Sequence, residues 1–147
     1  MKSSHNWFVY DHTQYEENLS RCKEAITLAD WEKAGLIFAE LVTELKMHIA
    51  MEEEEVYPIY DALVNISHDP TRTLRAEHER MISFMNDIQQ FIKKHDSEHG
   101  LDCVDRLEQL ITKHQEKEED IFLPMAGYVL TVKPQKARAI PDSSTAV

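Results

Sequence analysis

HIAMEEEEVYP, residues 48–58, and HQEKEEDIFLP, residues 114–124, are the two segments on which the fold turns. Each reads His, three residues, Glu-Glu, four residues, Pro, and the second lies 66 residues after the first. A His and a Glu four apart sit one turn apart on the same face of a helix. The spacing continues beyond the segments, since His12 and His78 are also 66 apart. With eight histidines in 147 residues, chance predicts about 0.24 His–His pairs at a given offset; two are present, with matching Glu and Pro positions. The chain reads as a duplicated helical hairpin.

Apolar periodicity extends this reading in both directions. Phe8, His12, Tyr15, Leu19, Cys22, Ile26 and Ala29 draw one face of a first helix, ending near Asp30, a good N-cap for the next. Phe38, Leu41, Leu45, His48, Glu52, Val56 and Ile59 form the inward stripe of a second, which Pro58 should end or kink. SHDPTRT, residues 67–73, is a predicted loop. Leu74, His78, Met81, Met85, Ile88 and Ile92 mark a third helix, closed by KKHDSEHG with Gly100 as the break. Val104, Leu107, Ile111, His114, Glu118, Ile121 and Met125 mark a fourth, fading after Leu130.

The expectation is an all-α, up-down-up-down four-helix bundle built from two repeated helical hairpins over residues 1–132, with a flexible C-terminal tail over 133–147. In an antiparallel hairpin, residues equidistant from the turn lie level. The midpoint of His12 and His48 is residue 30, and that of His78 and His114 is residue 96. All four histidines should therefore meet near the middle of the bundle.

Composition narrows the function. Sixteen Lys plus Arg against 27 Asp plus Glu leave a net charge of −11, which repels phosphate backbones and anionic lipid. Neither nucleic acid nor membrane is an expected partner. Three Gly and five Pro are too few for the many turns of a sandwich or barrel. No apolar run approaches a membrane span, and the start, MKSSHNWFVY, has no signal-peptide core. Cys22 and Cys103, isolated from each other, fit reduced thiols in a cytoplasm.

The inward stripes carry four imidazoles and two carboxylates, with no Lys or Arg to pair them. Unpaired buried carboxylates cost several kcal/mol each and repel one another. A divalent cation between them meets the need. Imidazole with carboxylate suits iron, manganese or zinc; thiolate is absent, and the oxygens are too few for calcium. The zinc-protease motif HExxH is also absent, because Ile49 and Gln115 follow the two histidines. Six ligands would close a single octahedral ion, but shared between two ions they leave room for a small exogenous ligand. On this reading His12, His48, His78 and His114 are terminal ligands, and Glu52 and Glu118 bridge.

Asp11-His12, the two HxxxEE-x4-P segments and Glu77-His78 together resemble the hemerythrin-like HHE cation-binding domains, over roughly residues 8 to 130. The resemblance implies a four-helix bundle around an oxo- or hydroxo-bridged di-iron centre, with His12, His48, Glu52, His78, His114 and Glu118 as the iron ligands. Two departures from oxygen-carrying hemerythrins stand out. Their fifth His, in HxxxH on the third helix, has no counterpart, since Leu74 and Ile82 flank His78 at four residues. Their closing Asp, five residues after the last His, is replaced by Glu118, four residues on. The centre is therefore more symmetric, with two His per iron, which makes reaction with dioxygen, peroxide or nitric oxide, or iron storage and donation, as strong an expectation as simple oxygen carriage.

Other residues are weighed beside this set. Tyr15 is one turn from His12 and reads first as core packing, second as a donor to a bound ligand. Glu55 is a candidate extra ligand or hydrogen-bond acceptor, whereas Glu53, Glu54, Glu119 and Asp120 read as a solvated acidic flank. His5 continues the first stripe, His68 falls in a loop, and His95 and His99 lie at a turn too far along the helix to reach the centre. Two competing functions remain open. One is an enzyme with peroxidase-, catalase- or oxidase-like activity, or an iron donor in iron–sulfur cluster repair, although that branch often carries a Cys-bearing N-terminal segment not seen here. The other is a metal-free helical interaction module.

Overall fold

A computed structural model describes residues 6–64 and 70–122, with side chains for 13–63 and 71–122. The elements are α1 (Asn6–Thr27), α2 (Trp31–Met51), a π-helical turn (Glu52–Val56), α3 (Tyr57–Val64), α4 (Pro70–Lys93) and α5 (Ser97–Phe122). Right-handed helical dihedrals run unbroken through Met51, Glu52 and Tyr57, so α2, the π turn and α3 form one rod. Four rods result, and every described element is helical. α1 packs on α2, α2 on α4, α4 on α5 and α5 on α1, closing a ring.

This ring buries most of the predicted stripes, whereas Ala29 is exposed, Ile59 and Ile121 are half-buried, and the side chains of Phe8, His12 and Met125 lie outside the described residues. Leu19, Cys22, Ile26, Phe38, Leu41, Met85, Ile88 and Leu107 belong to one large core. Val56, Tyr57, Tyr60, Leu74 and Phe122 form a second, smaller cluster. Fully burying one such aliphatic or aromatic side chain contributes ~1.5–3 kcal/mol. No helix among the described residues is long and apolar enough to cross a membrane.

The 66-residue repeat is visible in the backbone. Asp30 N–H bonds the Ala25 carbonyl at 2.8 Å and Ala29 N–H bonds Ile26 at 2.9 Å; Asp96 repeats this on Phe91 at 2.9 Å and His95 on Ile92 at 3.1 Å. This is a Schellman ending, whose key residue adopts a left-handed conformation. Here it is Ala29 in one copy and His95 in the other, both with φ of 57°. Asp30 then accepts from Lys33 N–H and Asp96 from His99 N–H, each at 3.2 Å, capping α2 and α5.

Three expectations need correction. Gly100 does not break the helix: it lies inside α5, buried 3.6 Å from Phe91 when given a Cβ, and His95 makes the turn instead. Residues 70–73 of the loop expected over 67–73 are helical instead, because α4 starts at Pro70, where a missing N–H costs nothing. Of the two outcomes expected at Pro58, ending the helix or kinking it, the first does not occur. A proline ring clashes with the carbonyl four residues back; here the preceding turn widens, with Tyr57 N–H bonding the Glu52 carbonyl five residues away, and the rod continues to Val64. The tail over 133–147 and the boundary at 132 lie outside the described residues.

Candidate metal centre

Where the two apolar clusters meet, the rods turn polar groups inward. α2 supplies His48, the π turn Glu52, α4 His78, and α5 His114 and Glu118, all buried. Glu52, His78, His114 and Glu118 each offer a donor atom within 4.8 Å of the others. His78 Nε2 lies 2.9 Å from Glu52 Oε1 and 3.0 Å from His114 Nε2. His114 Nε2 is 3.1 Å from Glu118 Oε2, and His48 Nε2 is 2.8 Å from Glu52 Oε2. The backbone of His12 lies in α1, three residues before Tyr15, but its side chain is outside the described residues, as are His5 and His68.

The far edges of two of these rings are held by acids. His78 Nδ1 is 2.7 Å from Glu53 Oε2, and His114 Nδ1 is 2.8 Å from Glu77 Oε1, with Lys117 bound to the other Glu77 oxygen. A carboxylate at Nδ1 selects the tautomer that donates there, leaving the Nε2 lone pair facing inward. Two such lone pairs 3.0 Å apart repel unless a proton or cation joins them.

Charge states tell the same story. Burial would raise the Glu52 carboxyl, but the pull of His48 and hydrogen bonds from His114, His48 and His78 hold it well below the usual carboxylate range. Burial and then the charge of Glu52 push Glu118 up to about 8, against the pull of His114. Burial works against the His114 cation, yet Glu118 and Glu52 raise it to about 10. Glu77, which burial would raise, is held low by Lys117 and His114. Without a cation between them, the two central carboxyls cannot both ionise near neutral pH.

The donor set fits a metal ion on structural grounds. Glu118 Oε1 is buried with no hydrogen-bond partner among the described residues, although an ionised carboxylate there would accept more than one bond. Imidazole Nε2 atoms and carboxylate oxygens converge without thiolate, a donor set that suits iron, manganese or zinc.

Tyr57 completes the cluster and was not foreseen. Its hydroxyl donates to Glu118 Oε2 at 2.6 Å and to Glu52 Oε1 at 3.2 Å, and lies 3.4 and 3.5 Å from the Nε2 atoms of His78 and His114. Burial, then the charges of Glu52 and Glu118, push its pKa far above the ordinary phenol value, so it keeps its proton. The residue 66 further on is Leu123, so the repeat carried no signal for it. Glu53 is also reassigned, from solvated flank to partner of His78. Glu55 is buried in the π turn with Oε1 unpartnered among the described residues, but it is not one of the four convergent groups. Tyr15 packs in the large core, edge-on to His48. His95 and His99 stack on Trp31 and Phe91 at the turn, and neither is among the convergent groups.

On one side the cluster borders a cavity of about 10 Å³ whose wall includes His48, Glu52, His78 and His114. A family model described as the hemerythrin HHE cation binding domain matches residues 4–126. No curated protein and no solved structure matches the chain.

Proposed function

Because this chain belongs to the hemerythrin HHE cation-binding domain family, we propose that it holds two iron ions among His12, His48, Glu52, His78, His114 and Glu118, and binds or reacts with dioxygen, nitric oxide or peroxide. The observation that carries the reading is the pair of Nε2 atoms 3.0 Å apart, each on a ring whose Nδ1 is held by an acid, between two buried carboxyls. Iron in such a site supplies a coordination position and electrons to a small oxidising ligand. Manganese and zinc are the other ions this donor set admits.

The protein's part is orientation and exclusion. Glu53 and Glu77 hold the imidazole planes, with Lys117 fixing Glu77 in turn. Tyr57 keeps a proton at its hydroxyl against Glu118 Oε2. The apolar clusters on either side keep bulk water out. The matching turns at 29–30 and 95–96 and the ring of packed helices support two duplicated hairpins in up-down-up-down order. Two buried, unpaired thiols support a reducing cytoplasm.

A second reading, turnover of peroxide, is favoured by the Tyr57 hydroxyl, an O–H donor inside the donor cluster. Elemental analysis of freshly purified protein tests the first reading, with two iron per chain expected. Colourless, metal-free protein contradicts it and leaves the interaction module. Sustained consumption of added peroxide by the iron-loaded protein separates the enzyme from a binding protein.

A further inference from the structure

The cavity beside the cluster is built from repeat mates, since Leu45 and Ile111, His48 and His114, and Ile49 and Gln115 all line it. The duplication thus supplies an internal comparison. At the position after each histidine, one copy has an aliphatic side chain and the other an amide. Gln115 is 6% exposed, and its Nε2 has no hydrogen-bond partner among the described residues. Ile49 shows that an apolar residue suits this wall. A buried amide donor left unpaired costs stability, so its presence calls for something that sometimes accepts from it.

The size of the space restricts what that is. About 10 Å³ is close to the room one water needs. A space on this scale favours a water-sized or diatomic ligand over an organic substrate. The wall is otherwise aliphatic, from Leu45, Ile49, Met81 and Ile111, apart from the cluster itself and Tyr15, which stands edge-on to His48 at 5.9 Å. We infer that Gln115, through its buried Nε2, is the hydrogen-bond donor that anchors a one- or two-atom acceptor ligand in this cavity. The assignment rests on the metal reading above, deepening it by naming the side chain that retains the ligand. It also makes the two halves of the centre unequal, with the ligand held towards the second copy of the motif.

The variant Gln115→Met keeps length and removes the donor. Iron content should equal that of wild type. Nitric oxide should dissociate from the iron(II)-loaded variant ~10-fold faster, as expected for one lost hydrogen bond. The chelator-treated variant should melt ~2–5 °C higher, because an unpaired buried amide is gone; a purely structural glutamine would give the opposite sign. Gln115→Ile, which copies the repeat mate, should behave in the same way. An unchanged nitric oxide dissociation rate in iron-loaded variants, or a lower melting temperature without metal, overturns the Gln115 assignment alone. A wild-type protein that takes up no iron overturns the metal reading and this inference with it.

Discussion

Replacing Glu118 by Gln should make the metal-free protein more stable while weakening its hold on iron. Glu118 is fully buried beside Glu52, and its pKa is pushed up to about 8 by burial and then by that neighbour's charge. In the unfolded chain a Glu titrates near ~4.3. Between those values the native protein holds a proton that the unfolded chain has released, so stability falls as pH rises, by ~1.4 kcal/mol per unit. Gln has the shape of the protonated acid and does not titrate. Its stability curve should lack this fall, and near pH 7 the variant should exceed wild type by ~2–4 kcal/mol. Urea unfolding of chelator-treated protein from about pH 5 to 8 measures the difference. Parallel curves for the two proteins, or a wild type that gains on the variant as pH rises, would refute the reasoning.

Metal uptake near pH 7 should expel about two protons per chain, from Glu118 and His114, whose pKa values of about 8 and 10 leave both protonated beforehand. Apparent affinity should therefore climb steeply with pH up to about 8 and more gently from there to about 10; an indicator dye in weak buffer reads the release, and none would contradict the assigned charge states. Tyr57→Phe keeps the ring on His78 and Phe122 but leaves two buried carboxyls without their hydroxyl donor. It should cost ~1–3 kcal/mol in metal-free unfolding measurements. Ala29→Gly relieves a left-handed alanine and should add ~0.5–1 kcal/mol of stability by thermal unfolding. Iron content should vanish in His48→Ala with His114→Ala and stay unchanged in His95→Ala with His99→Ala, as read by elemental analysis.

Helix number and the inward stripes were legible because the apolar period and the repeat agree. His48, Glu52, His78, His114 and Glu118 could be read from the same stripes, and all are buried. What escaped lies where the copies differ. The π turn begins at Glu52, whereas α5 stays α-helical through Glu118 to Phe122, although the motif is the same. That widened turn precedes Tyr57, whose hydroxyl reaches both carboxyls, and a repeat whose other member is Leu123 could not announce it. Gly100 misled because glycine is the usual left-handed residue at a helix end, and this chain uses Ala29 and His95 instead. The offset itself held the clue, since Asp30 and Asp96 are repeat mates and both cap helices. Glu53 and Glu77 were missed as ring holders because their partners lie on neighbouring helices, at separations no local pattern shows.

Anomalous diffraction at the iron absorption edge, on crystals of the iron-loaded protein, tests the central claim most directly. The account predicts two peaks inside the bundle, within bonding distance of His48, Glu52, His78, His114 and Glu118. Peaks confined to the acidic surface, or an interior without density at those side chains, would contradict it.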